Sequence, residues 1–189
     1  QGLQIDGNKA TYTASYNYGI YLYSSSDSTV TGNTCNNNNY GIYQYSSSNN
    51  TVTGNTCNNN STGIRLDSSS DNTVTGNTCN NNSFGIYQYS SSDNTVTGNT
   101  CNNNNNYGIY LLSSSSYNTV TGNTCNNNNY GICLLSSSSY NTVTGNTCNN
   151  NSNSGIFLSS SSNNTITGNT CIRGTGQSSD YTSSQYTIH

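Results

Sequence analysis

The sequence predicts an all-β fold, a parallel β-solenoid of about eight coils with 22–24 residues per coil. Three observations predict it. The string Thr-Val-Thr-Gly-Asn-Thr-Cys begins at Thr29, Thr51, Thr73, Thr95, Thr119 and Thr142, and returns at Thr165 with Ile166 in place of Val. A Gly-Ile pair recurs with nearly the same period, at Gly19, Gly41, Gly63, Gly85, Gly108, Gly131 and Gly155. Nothing repeats at the helical spacing of about 3.6 residues, and Asn, Ser, Thr, Gly and Tyr are mediocre to poor helix formers.

Within each repeat, Thr-Val-Thr and Gly-Ile-Tyr-Leu-Tyr alternate apolar and polar residues, which reads as two short strands with one face inward. Extra residues fall only in the Asn run or the Ser run, as at Asn106 and near Tyr117, so those runs are the turns. At roughly 4.8 Å per coil the rod is on the order of 40 Å long. One solenoid domain spans residues 1–189: an N-terminal edge strand over 1–11, the repeats over 12–172, and a C-terminal edge or tail over 173–189.

Alternation sends Val30, Val52, Val74, Val96, Val120, Val143 and Ile166 into one internal stack, and the isoleucines of the Gly-Ile pairs into another. The same parity turns Asn33, Asn55, Asn77, Asn99, Asn123, Asn146 and Asn169 inward as an amide ladder, the arrangement in which buried Asn is satisfied. Leu22, Leu66, Leu111, Leu134 and Leu158 also point in. Gln44 and Gln88 fill that same slot and need ladder partners.

Composition limits the function. Asn, Ser and Thr make up 101 of the 189 residues, and Lys9, Arg65 and Arg173 are the only Lys or Arg against six Asp. A net charge of -3 removes the basic surface that nucleic acid needs, and no segment approaches the roughly 20 apolar residues of a membrane helix. No cofactor is implied. The chain opens at Gln1 without an initiator Met or a targeting segment, so a processed product or a fragment is expected, with an exported protein the easier reading.

The pattern Asn-Thr-Val-Thr-Gly-Asn-Thr-Cys-Asn-Asn-Asn-Asn-Tyr-Gly-Ile-Tyr resembles the repeat of the NosD-like parallel β-helix surface proteins, over residues 12 to 172. That resemblance implies a right-handed parallel β-helix. Among such proteins, the Asn- and Cys-bearing, nearly charge-free version is similar to the tubular sheath proteins of filamentous methanogenic archaea.

The resemblance extends to β-helix enzymes, which use clustered Asp or Glu with Lys or Arg in a lateral groove. This chain has no Glu, and Asp27, Asp71 and Asp93 share a slot that Asn49 and Asn163 fill elsewhere, which reads as turn formation, with a weak Ca²⁺ site at Asp71 and Asp93 as the rival. Arg65 and Asp67 read as an exposed same-face pair, and His189 stands alone. The expectation is that the chain is not an enzyme.

Cys35, Cys57, Cys79, Cys101, Cys125, Cys148 and Cys171 share one slot, either as a buried thiol column or as disulfides between neighbouring coils. Cys133 replaces an outward Tyr and reads as an exposed thiol, so Cys133, Cys35 and Cys171 are the cross-link candidates, with chance replacement of Tyr the rival at Cys133. Outward Tyr21, Tyr23, Tyr43, Tyr45, Tyr87, Tyr89 and Tyr110 form an aromatic strip suited to self-association or glycan contact. The paired Thr columns suit ice binding, or simply the strand preference of Thr.

The expected function is structural: an extracellular sheath or surface-layer subunit of the cell envelope that stacks end to end on itself into rings, tubes or filaments. A polysaccharide-binding surface β-helix and an ice-binding protein are the alternatives.

Overall fold

Each coil supplies a six-residue strand and a three-residue strand, joined by turns built from Asn and Ser. The computed structural model describes residues 4–6, 9–10, 17–173 and 186–188, with side chains over 17–173. The strands are β1 Gln4–Asp6, β2 Lys9–Ala10, β3 Tyr18–Tyr23, β4 Thr29–Thr31, β5 Thr34–Cys35, β6 Tyr40–Tyr45, β7 Thr51–Thr53, β8 Thr62–Asp67 and β9 Thr73–Thr75. They continue as β10 Phe84–Tyr89, β11 Thr95–Thr97, β12 Tyr107–Leu112, β13 Thr119–Thr121, β14 Tyr130–Leu135, β15 Thr142–Thr144, β16 Ser154–Ser159, β17 Thr165–Thr167 and β18 Tyr186–Ile188.

All pairings are parallel. The short strands make one eight-stranded sheet in the order β1-β4-β7-β9-β11-β13-β15-β17, and the long strands make a second, β18-β16-β14-β12-β10-β8-β6-β3. Like residues stack on like: Val30 on Val52, Val74 on Val96, Ile86 on Ile109. The N-terminal expectation finds β1 and β2 within residues 1–11, paired to β4 and β5, whereas the tail over 173–189 lies outside the described residues except for Arg173 and β18.

The core is one apolar column of Val, Ile, Leu and Cys, nearly all of it sealed from solvent. Three amide ladders flank it rather than one. Along Asn33, Asn55, Asn77, Asn99, Asn123, Asn146 and Asn169, each Nδ2 donates to the next Oδ1 at 2.9–3.0 Å. A second ladder climbs through Asn38, Asn60, Asn82, Asn104, Asn128 and Asn151, each backbone N–H donating to the next Oδ1 at 2.8–2.9 Å. The third, Asn50 to Asn164, repeats that bond at 2.7–2.9 Å.

The turns need left-handed backbone, which Asn and Asp tolerate best after Gly. Asp27, Asn49, Asp71, Asp93, Tyr117, Tyr140 and Asn163 all occupy one such slot with φ of 54–58°. The turn reading of Asp27, Asp71 and Asp93 is therefore the one the backbone requires.

Gln44 and Gln88 are fully buried, and neither end of either amide has a partner. The expected partners are out of reach because Leu66 stands between the two in register. A buried orphan amide costs about 1–3 kcal/mol. Gln88→Leu, which completes a run of Leu66, Leu111, Leu134 and Leu158, is accordingly expected to raise stability by about 1–3 kcal/mol, read as a higher denaturant midpoint at unchanged slope. A lower midpoint would show that this amide has partners inside the core.

Candidate functional site

The outer face of the long sheet carries aromatic rings in three columns, and one coil interrupts all three. In register along the rod, Tyr40, Thr62 and Phe84 form one column, Tyr43, Arg65 and Tyr87 the next, and Tyr45, Asp67 and Tyr89 the third. Rings one coil apart stack nearly parallel: Tyr21 and Tyr43 at 5.2 Å, Tyr87 and Tyr110 at 5.0 Å, Tyr107 and Tyr130 at 5.2 Å, Tyr23 and Tyr45 at 5.7 Å. The face is thus a picket of ring edges and hydroxyls broken at β8.

At the break, Arg65 takes the place of a ring. Its guanidinium lies 5.5 Å from the Tyr43 centroid and 4.9 Å from that of Tyr87, within cation–π range of both. Arg65 Nη2 donates to Asp67 Oδ2 at 3.0 Å, and the Tyr43 hydroxyl donates to the same oxygen at 3.2 Å. Arg65 Nε is buried without a partner. The expected exposed pair is instead drawn in, Arg65 half-buried and Asp67 buried, the two side chains 22% and 12% exposed, because taller rings flank them on both neighbouring coils.

The charge pattern follows from this packing. Burial alone lowers the Arg65 value, but the hydrogen bond to Asp67 and the nearby tyrosines outweigh it and raise the value, so Arg65 stays cationic. Burial, then the Asp67 charge, pushes the Tyr43 phenol well up. Tyr43 therefore remains a hydrogen-bond donor at neutral pH.

The other interface candidates differ in depth. Tyr21, Tyr23, Tyr45 and Tyr89 are exposed, Tyr43 and Tyr87 are half-buried, and Tyr110 is buried beneath its neighbours. Alternation missed the column of Tyr18, Tyr40, Phe84, Tyr107 and Tyr130, which it turns inward. The rings face out, Tyr107 stacking on Tyr110 at 4.3 Å.

The cysteines also depart from expectation. All eight are free thiols, so the disulfide alternative is not formed. Cys133 stands in the outer column between Tyr110 and Phe157, yet it is buried, because its short side chain ends below the flanking rings. It is not the exposed thiol that the sequence predicts. Cys35 is buried in the core column, and Cys171 at the far end of it is half-buried.

Burial first, with thiol-to-thiol hydrogen bonding added, pushes Cys79, Cys101 and Cys125 well above the ordinary thiol value. An unfolded thiol titrates near about 8.5, so the stability these groups confer is fully present below that pH and is lost as pH rises above it. Each contributes about 1.4 kcal/mol per pH unit. Cys148 goes the other way, the hydrogen bonds of Cys125 and Cys171 holding it down at about 5. The denaturant midpoint is expected to fall steeply from about pH 9 as the central thiols ionise; a midpoint flat through pH 10 would contradict buried, protonated thiols at the centre of the column.

An open groove of ≈ 370 Å³ lies at another corner, lined by Asn103, Asn104, Asn105, Asn127, Asn128, Asn129, Asn150 and Ser152. It holds no titratable group. Among the described residues no three His, Cys, Asp or Glu side chains converge on a point, and no helix is long and apolar enough to cross a membrane. Asp6, Asp180 and His189 lie outside the residues whose side chains are described.

Strand order and register together define a parallel β-helix. The chain belongs to the NosD family: the family model described as "Periplasmic copper-binding protein (NosD)" matches residues 1–188. A comparison with curated proteins finds no match. Solved structures share the fold: the DFA-IIIase of Arthrobacter chlorophenolicus A6 (TM-score 0.85, 13% identity), the A-module of the Azotobacter vinelandii mannuronan C-5 epimerase AlgE4 (0.82, 16%) and a mutant form of the periplasmic alginate epimerase AlgG (0.74, 21%). Those alignments cover 98%, 100% and 98% of this chain, which spans about half of each structure, 51%, 55% and 51%.

These likenesses correct one expectation. A non-catalytic chain was the inference from its few carboxylates, but the structures on this fold are enzymes by title, so sparse carboxylates do not exclude catalysis here. Among the described residues no group of donors gathers to suit the copper of the family description. Thiols suit Cu(I), but here they stand in single file along the core.

Proposed function

We propose that this chain is a periplasmic or extracellular β-helix that binds polysaccharide along the aromatic face of its long sheet. The observation that carries the reading is the break in that face, where the only Arg-carboxylate pair among the described residues sits between tyrosine walls. Aromatic surface with a few placed polar groups is the usual composition of a ligand site. The neighbours' titles, alginate and mannuronan epimerases among them, support the ligand class. Tyr43, Arg65 and Asp67 also supply a phenol, a cation and a carboxylate, the groups from which proton transfer on a bound sugar is assembled.

The test is a binding titration of the full chain against neutral and acidic polysaccharides, with NMR of the recovered sugar to detect turnover. Saturable binding is expected, weakened at least tenfold in the triple variant Tyr23→Ala, Tyr45→Ala, Tyr89→Ala, whose exposed rings contribute little to the core. Equal binding by that variant, or none by the native chain, overturns the reading.

A second reading, end-to-end assembly into a sheath or surface layer, is favoured by one observation. Among the described residues, β3 and β17 each end a sheet with one edge unpaired. Electron microscopy of the purified chain tests it: rings, tubes or fibres support assembly, and dispersed monomers reject it.

A further inference from the structure

We infer that the break at β8 is a slot for a single glucose-configured pyranose ring, held between Tyr45 and Tyr89 above Asp67. The inference rests on the polysaccharide reading and narrows it to one sugar geometry. In the two inner columns Tyr40, Tyr43, Tyr107 and Tyr87 stack on rings one coil away, whereas in the outermost column Tyr89 has Asp67 on one side and Leu112 on the other. In the outermost column the coil of Asp67 carries no ring. Tyr45 lies parallel to Tyr23, at 1° and 5.7 Å, so the second face of Tyr45 is turned toward that gap.

The dimensions select the occupant. Tyr45 and Tyr89 are two coils apart, about 10 Å at the usual strand spacing, so a ring midway between lies about 5 Å from each wall. That is the stacking distance seen along the rest of the face. A β-glucose ring carries its hydroxyls equatorially and presents axial C–H bonds on both faces, so it packs against two aromatic walls at once. An axial hydroxyl, at C2 in mannose or C4 in galactose, would press a polar group onto one wall. The slot floor is neutral overall, Arg65 paired with Asp67, and does not call for an ionised sugar.

Calorimetric titration of the full chain with hexasaccharides of β-1,4-linked glucose, β-1,4-linked mannose and β-1,4-linked galactose tests this. The gluco-hexamer is expected to bind at least tenfold more tightly than the other two. Asp67→Tyr, which fills the slot with a ring, is expected to abolish that preference while its thermal melt shows the fold intact, and Tyr117→Ala, at a distant corner, to leave it unchanged. Should Asp67→Tyr unfold, Asp67→Leu provides the same blockade without a ring. Equal affinity for the three sugars, or an unaltered preference in a folded slot-filled variant, overturns the inference. If polysaccharides bind in the broader panel but no hexamer shows preference, the slot fails and the polysaccharide reading stands; if nothing binds, both fail.

Discussion

Gly108→Ala is expected to destabilise the chain by about 3 kcal/mol or more. A Cβ at that position would stand 2.6 Å from the Gly131 carbonyl oxygen, 2.9 Å from Cys125 Cβ and 3.0 Å from Asn128 Nδ2. The first is backbone of the next coil and the third belongs to an amide ladder, so neither can move aside alone. Overpacking of this kind costs about 1–3 kcal/mol in ordinary cores and more where backbone must shift. The measurement is a urea melt against Gly122→Ala, where the new Cβ meets nothing and the cost is only that of φ near 64°. Equal losses in the two variants would show that the coils separate freely at Gly108.

Asn99→Ala is expected to cost about 3–5 kcal/mol. Asn99 Nδ2 donates to the Val74 carbonyl at 2.9 Å and to Asn123 Oδ1 at 3.0 Å, while its Oδ1 accepts from the backbone N–H and the Nδ2 of Asn77, both at 2.9 Å. Truncation orphans groups on both neighbouring coils, each worth about 1–3 kcal/mol when buried. Asn99→Asp separates hydrogen bonding from shape. It replaces a donor with an acceptor facing two acceptors, so its carboxyl must stay protonated in the fold. With its folded value raised above about 3.9, stability is retained below that pH and lost above it, so this variant should be least impaired in acid. A loss independent of pH would contradict the ladder's donor–acceptor order.

The period, the strand pairs and the inward Val, Ile and Leu columns are legible in the sequence because every coil writes them again at the same spacing. The second and third amide ladders are not, because Asn in a turn run looks the same whether it caps a loop or bonds the rung above. Parity also fails across the glycines. Gly41 packs against Cys57 Cβ and the Gly63 carbonyl, closing a corner at which alternation resets, so Tyr40 emerges on the outer face beside Tyr43. The depth of Cys133 depends on rings from adjacent coils that no local pattern encodes. The site itself left a trace, since Thr62, Arg65 and Asp67 break the consensus together in one repeat, but judged as an isolated pair Arg65 and Asp67 read as surface charge.

Stacking like on like has a further consequence for how the chain finds its register. Identical rungs carry no address: a Val-on-Val pairing is as good one coil out of step as in step, and such a slip would loop out a whole repeat at little local loss. What distinguishes one rung from another is its irregularities, the lengthened Asn run at Asn102–Asn106, the paired Tyr117 and Tyr140, and the Arg65 coil. The residues that interrupt the repeat thereby serve as milestones by which a nascent solenoid counts its own turns.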